Sequence, residues 1–128
     1  MFDDGSPIYR QIAEEVKASI LSGALGEEEQ VMSTNRYASF YRINPATAAK
    51  AFQQLVEEGI LYRKRGIGMF VSAGALERLR EQRRSSFAGD LVEPLVREAR
   101  NLGMSLEEVG SELERAWREG ERGDEQRG

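Results

Sequence analysis

The stretch STNRYASFYRINPATAAKAFQQLVEEGILYRKRGIGMFV, residues 33–71, decides the fold. Ser33 is an N-cap residue ahead of a short helix predicted over about 34–40, and Tyr41-Arg42-Ile43 forms a turn. Asn44-Pro45 then pairs a cap residue with proline at the first helical position, where the missing N–H costs nothing. The helix that follows turns Ala48, Ala51, Phe52, Leu55 and Val56 inward and stops at Gly59. Ile60-Leu61-Tyr62 and Met69-Phe70-Val71 are β-prone and flank Arg63-Lys64-Arg65-Gly66-Ile67-Gly68, the pattern of a hairpin. A basic tip on such a hairpin calls for something anionic opposite it.

Upstream, Met1 to Gly5 read as a frayed start, and Ser6-Pro7 as an N-cap followed by proline. Ile8, Ile12, Val16 and Ile20, with Ala13 and Leu21, make a helical core stripe that ends at Gly23. Leu25 to Gln30 is a polar turn containing the solvated run Glu27-Glu28-Glu29, and Val31-Met32 is a brief extended segment. Helix, short helix, turn, helix and basic hairpin is the order of a winged helix-turn-helix. Tyr37, Phe40, Phe52, Tyr62 and Phe70 are expected in its core.

After Gly74 the pattern becomes long helix, with Leu76, Leu79, Phe87, Leu91, Leu95, Ala99 and Leu102 as apolar positions. Pro94 cannot donate to the carbonyl four residues earlier, so a kink or a break is expected near Asp90. Gly103 ends the segment. Ser105 and Glu108 form a capping box for a last helix that buries Leu106, Val109, Leu113 and Trp117. From Glu119 the chain is charged and glycine-rich, the composition of disorder. The expected fold is mainly α with a small β-hairpin wing: a DNA-binding domain over 1–73, a helical dimerisation segment over 74–118 and a disordered tail over 119–128.

The 128 residues, 40% hydrophobic and 31% charged, suit a soluble globular protein with a modest core. Neither an apolar run of about 20 residues nor a secretory signal is present, so no membrane partner is expected. The lack of cysteine rules out disulfides and agrees with a reducing, cytoplasmic setting. With no histidine either, the commonest general base and metal ligand are missing; no enzymatic activity, metal or cofactor is expected. Net charge is −4, which at first argues against nucleic acid. Its distribution argues the other way. Residues 33–71 hold six cations against Glu57 and Glu58, a net +4 that leaves −8 for the rest of the chain. Screening makes such local charge decisive.

In this arrangement the second helix presents its N-terminal end to the major groove. Asn44, Ala46, Thr47 and Lys50 lie on that end. Thr47 suits a phosphate or a thymine methyl, and Lys50 a phosphate. Arg36 on the short helix can grip the backbone from the other side. Arg63, Lys64, Arg65 and Gly66 make the wing, where glycine permits close approach and arginine matches a narrow negative groove.

These residues carry a resemblance. Ile8-Tyr9-Arg10-Gln11-Ile12, Ile43-Asn44-Pro45-Ala46-Thr47, Lys50-Ala51-Phe52, Leu55 to Leu61 and Arg65-Gly66-Ile67-Gly68-Met69-Phe70-Val71 resemble the N-terminal domain of the GntR family of bacterial transcriptional regulators. The Asn-Pro-x-Thr variant and a tail of only about fifty-five residues are similar to the YtrA subfamily. The resemblance implies a homodimer on a palindromic operator, usually a repressor and often beside transporter genes. It also implies that Ser33, Asn35 and Arg36, then Asn44, Pro45, Ala46, Thr47 and Lys50, and then Arg65 to Gly68 face DNA. Many members carry arginine at the positions of Asn35, Pro45 and Ala49, so this recognition helix is poorer in cations. The turn at Glu27-Glu28-Glu29 also lacks the usual proline-glycine.

Two tail helices of this size cannot bury their apolar positions alone, and a second copy of the chain solves that. Leu79, Phe87, Leu91, Leu95, Leu102, Leu106, Val109, Leu113 and Trp117 are the expected dimer interface. Larger family members carry a separate effector domain, for which this chain has no room. The dimer helices leave room for a small apolar pocket for a small-molecule effector, and no residue identifies a ligand. The alternative is a winged-helix protein–protein adaptor, favoured by the acidic balance and disfavoured by three consecutive cations next to glycine.

Overall fold

Four-residue spacing of Ile12, Val16 and Ile20, widened by Ala13, builds the first helix, α1 (Ile8–Ser22), and all four side chains are buried. The computed structural model describes residues 7–127; the expectations for Met1 to Gly5 and for Ser6 lie outside them. Pro7 occupies the capping position rather than the first helical one. Gly23 closes the helix in the left-handed conformation (φ 86°), which glycine adopts without strain.

Helix α2 (Thr34–Tyr41) starts where Ser33 Oγ accepts the Arg36 N–H at 3.2 Å, and it ends at Arg42 with φ 55°. Helix α3 (Pro45–Glu57) starts where Asn44 Oδ1 accepts the Ala46 N–H at 2.8 Å, with proline in its first turn. Both caps fall where the sequence predicts them. α3 packs on α1 and α2 through Ala48, Ala51, Phe52 and Leu55. Strands β1 (Leu61–Lys64) and β2 (Gly68–Val71) pair antiparallel, with Leu61 opposite Val71 and Lys64 opposite Gly68.

The hairpin has a third edge. Val71 exchanges backbone hydrogen bonds with Glu28 and Glu29, and Val31 N–H donates to Met69 O at 2.9 Å. The acidic turn is therefore not merely solvated. Glu28 accepts from the Tyr62 hydroxyl, Glu29 accepts from Gly26 N–H, and Glu27 accepts from Leu76 N–H at 3.3 Å.

Helix α4 (Ala75–Phe87) belongs largely to the same body. The chain forms two compact units, Met1–Arg83 and Arg84–Gly128, so the first unit runs past the expected limit at 73. The cause is Ala75 and Leu79, both 0% exposed and packed into the first unit's core. Leu79 thus cannot serve as a dimer contact, which corrects its assignment above. Arg78 and Arg83 fasten the same helix, the first to Gly59 O at 2.9 Å and the second to Glu14 at 2.8 Å. Phe40, expected in the core, is exposed, because α2 turns Tyr37 and Ala38 inward and leaves Phe40 on its outer face.

In the second unit a π-helical turn (Ala88–Val92) precedes α5 (Glu93–Asn101). Pro94 neither breaks the backbone nor ends it: Val92 and Glu93 stay right-handed helical, and Glu93 N–H reaches Ala88 O. The wider turn accommodates the missing proline donor. The capping box forms as predicted, with Ser105 Oγ accepting Glu108 N–H at 3.1 Å and Glu108 Oε1 accepting from the Ser105 hydroxyl. Helix α6 (Leu106–Arg127) continues through residues whose composition predicts disorder. Ion pairs at helical spacing, Arg115 with Glu112 and Glu119 and Arg118 with Glu114, line it. Among the described residues of this unit only Ala99 is buried.

Candidate nucleic-acid interface

The predicted recognition residues lie at the starts of two successive helices. Ser33, Asn35 and Arg36 occupy the exposed first turn of α2, and Asn44, Pro45 and Ala46 the exposed start of α3. Thr47 is half-buried, so its side chain offers one face rather than its full surface. Lys50 is exposed, but its ammonium rests 4.1 Å from the centre of the Tyr9 ring, a cation–π contact that fixes its direction. Tyr9 was not foreseen: as the second residue of a core-facing helix it carries no local mark of that role.

The wing cations divide into three situations. Arg63 donates to Gln53 Oε1 at 2.7 Å, tying β1 to α3. Lys64 lies 4.6 Å from the centre of the Phe70 ring. Arg65 makes no such contact among the described residues and stands at the turn beside Gly66, whose φ of 78° favours glycine. Ile67, at the tip, is 63% exposed. An isoleucine between two turn glycines is the sequence signal that could have marked it.

Tertiary folding adds a relationship that no local motif shows. Ser33 and Thr34 of α2 line one cleft of about 530 Å³ with hairpin residues 63–69. Three cations and no carboxylate line it. A helix N-terminus and a basic hairpin thus face the same open volume, which suits an oxyanion such as a phosphate. Gln30, also unforeseen, donates from Nε2 to Ile67 O at 3.1 Å and so holds the wing tip from outside the hairpin. The Tyr62 hydroxyl, bonded to Glu28, is kept protonated above its usual range by that bond. This braces the inner end of β1 rather than serving any proton transfer. No described helix is long and apolar enough to cross a membrane.

Residues 8–71 match the profile of bacterial regulatory proteins of the gntR family. Over 104 residues the chain is 31% identical to the transcriptional repressor YtrA of Bacillus subtilis, covering 81% of this chain and 79% of that protein. It is 41% identical over 71 residues to the transcriptional repressor NagR of the same organism, covering 56% of this chain but only 29% of that protein. A GntR family regulator from Listeria monocytogenes superposes with TM-score 0.70 at 29% identity, covering 89% of this chain and 98% of that one. The AraR DNA-binding domain in complex with operator ORX1 superposes with TM-score 0.52 at 27% identity, covering 56% of this chain and 93% of that one.

Proposed function

The chain belongs to the GntR family of bacterial regulatory proteins and is YtrA-like, and from that premise we propose that it is a sequence-specific DNA-binding repressor acting in the cytoplasm as a homodimer on a palindromic operator. The observation that carries this reading is the carboxylate-free cleft shared by the start of α2 and the basic wing. In the proposed complex the N-terminal turn of α3 enters the major groove, with Asn44 to Thr47 near base edges and Lys50 on phosphate. Arg36 and Ser33 hold the backbone beside it. Arg65, Gly66 and Gly68 reach the neighbouring groove, and Arg63 and Lys64 support the wing from within. The AraR DNA-binding domain, solved in complex with an operator, supports DNA as the partner.

Dimerisation rests on the second unit. Phe87, Leu91, Leu95, Leu102, Leu106, Leu113 and Trp117 are all exposed, Leu106 by 87% and Trp117 by 73%. So much apolar surface on a helical segment marks an interaction face. Two-fold pairing through it would set two recognition helices about one DNA turn, ~34 Å, apart. Val109 is half-buried and borders the same face.

The test is fluorescence anisotropy of the full chain on DNA from upstream of its own gene, against a scrambled duplex, over a salt series. Tighter binding to the native duplex by ~10³ or more, with a steep negative salt slope, is expected. Equal weak binding to both that duplex and genome-selected fragments overturns the reading.

A further inference from the structure

A second cavity shares no lining residue with the basic cleft. Its volume is about 300 Å³, and α1, α2, α3 and the strand-like segment after α1 all contribute to its walls. Its lining is distinctive in charge. Glu15 and Glu29 are present, and no lysine or arginine lines it. Three aromatic rings stand together beside Glu15: the centres of Tyr37 and Tyr41 are 4.5 Å apart, and those of Tyr37 and Phe52 are 5.3 Å apart. Leu25, Val31 and Met32 supply aliphatic walls.

The Glu15 carboxylate accepts from the Tyr37 hydroxyl at 3.3 Å. Burial first, and then the Glu15 charge, hold the hydroxyls of both tyrosines protonated above their usual range. The cavity therefore brings a negative charge, aromatic rings and apolar walls together. That combination attracts a compact organic cation: the carboxylate neutralises it, the rings stabilise it by cation–π attraction, and alkyl groups pack on the walls. An anion meets two like charges there, and a neutral apolar molecule leaves Glu15 without a counter-ion.

We propose that this cavity binds a small organic ammonium ion and that its occupant acts on the DNA-reading surface. The second half rests on the reading of the chain as a DNA-binding regulator. Two contacts would carry the effect. Tyr37 belongs to α2, the helix whose first turn bears Ser33, Asn35 and Arg36. Gln30 lines the cavity and also bonds the Ile67 carbonyl at the wing tip. A ligand displacing either side chain thus reaches α2 or the wing with no intervening element.

The site is tested on the full chain without DNA, by titrating choline and benzyltrimethylammonium and following backbone amide shifts by NMR. The control is the carbon isostere of choline, in which a tert-butyl group replaces the trimethylammonium. Saturable shifts centred on Glu15, Met32, Tyr37 and Tyr41 with a charged probe are expected, and binding of the isostere weaker by roughly tenfold or more. Glu15→Gln, which keeps the shape of the side chain, should weaken the charged probe by a similar factor. Met32→Trp, which fills the cavity without touching Glu15, should abolish binding. Absence of saturable shifts with both cations, equal binding of the isostere, or indifference to both substitutions overturns the site. A change in operator affinity of about threefold or more on adding the bound cation, equivalent to about 0.7 kcal/mol, is expected from the coupling. An unchanged affinity overturns the coupling and leaves the site standing. Failure of operator binding itself, measured without any ligand, bears on the regulator reading alone.

Discussion

Lys17 and Glu58, forty-one residues apart, form an ion pair of 2.9 Å that joins the middle of α1 to the C-cap of α3. Lys17 is only 7% exposed, and the second Glu58 oxygen accepts from Gln54 at 3.2 Å. Removing Glu58 leaves the buried Lys17 ammonium with only the more distant Glu14 carboxylate, at 3.7 Å, whereas the Glu58 side chain stays partly in water. Glu58→Ala is expected to destabilise the protein by about 2 kcal/mol, whereas Lys17→Met, which keeps the packed stem, costs less than about 1 kcal/mol. Urea unfolding of both single variants and the double variant gives the coupling. Equal losses from the two single changes would show that the pair itself, rather than the stranded ammonium, sets the cost.

Among the wing cations, Arg65 and Arg63 have different tasks. Arg65→Ala should reduce the salt slope of operator binding by about 1, the contribution of a single phosphate contact. Arg63→Ala should change the slope less, because its guanidinium already serves Gln53. Anisotropy over a salt series separates them, and a larger slope change for Arg63 would refute the division.

The two wing glycines are also unequal. A Cβ on Gly66 meets open space at φ 78°, so Gly66→Ala bears only backbone strain of about 1 kcal/mol. At Gly68, with φ 145°, a Cβ stands 2.6 Å from Gln30 Nε2 and breaks the bond from Gln30 to Ile67. Gly68→Ala should therefore cost more stability than Gly66→Ala, by about 1 kcal/mol more. It should also weaken operator binding to a similar degree as Gln30→Ala. Denaturation and anisotropy of the three variants check this.

The exposed face of the second unit predicts that Leu91→Asp combined with Trp117→Asp yields a folded monomer in sedimentation equilibrium. Truncation after Arg83 should also leave a folded monomeric first unit. Truncation after Gly74 should not fold, because it removes Ala75 and Leu79 from the core; Leu79→Ala alone should cost about 2–5 kcal/mol. A dimer that survives the double substitution would move the interface elsewhere.

Alkaline stability reports on Tyr37. Its hydroxyl is buried beside Glu15, so its folded pKa lies above the ordinary phenol value. A group raised in this way contributes stability that is complete below about pH 10 and is lost as the pH rises further, since only the unfolded chain ionises there. Tyr37→Phe should flatten the fall in stability above about pH 10. An unchanged alkaline slope in the variant would assign the loss to other groups.

Much of this architecture is legible along the chain. Ser33, Asn44 and Ser105 cap their helices as their neighbours predict, and Gly23, Gly59 and Gly103 take the positive φ that terminates a helix. The hairpin falls where two β-prone runs flank a glycine turn. These signals act within a few residues, through backbone hydrogen bonds and steric limits on φ, so a local reading recovers them.

What the sequence by itself determined is the order and kind of the elements as far as the start of α6, and the net positive charge of residues 33–71 within an acidic chain. Only the tertiary structure decided where individual side chains end up. It sent Leu79 into the first unit's core, left Phe40 outside, turned Arg63 onto Gln53 and Lys50 onto Tyr9, and set Gln30 under the wing tip. It also resolved Pro94 as a π-helical turn rather than a break. The physical reason is range. Helical periodicity says that a residue faces inward, but whether that interior belongs to its own unit or to a partner depends on surfaces brought together from distant parts of the chain.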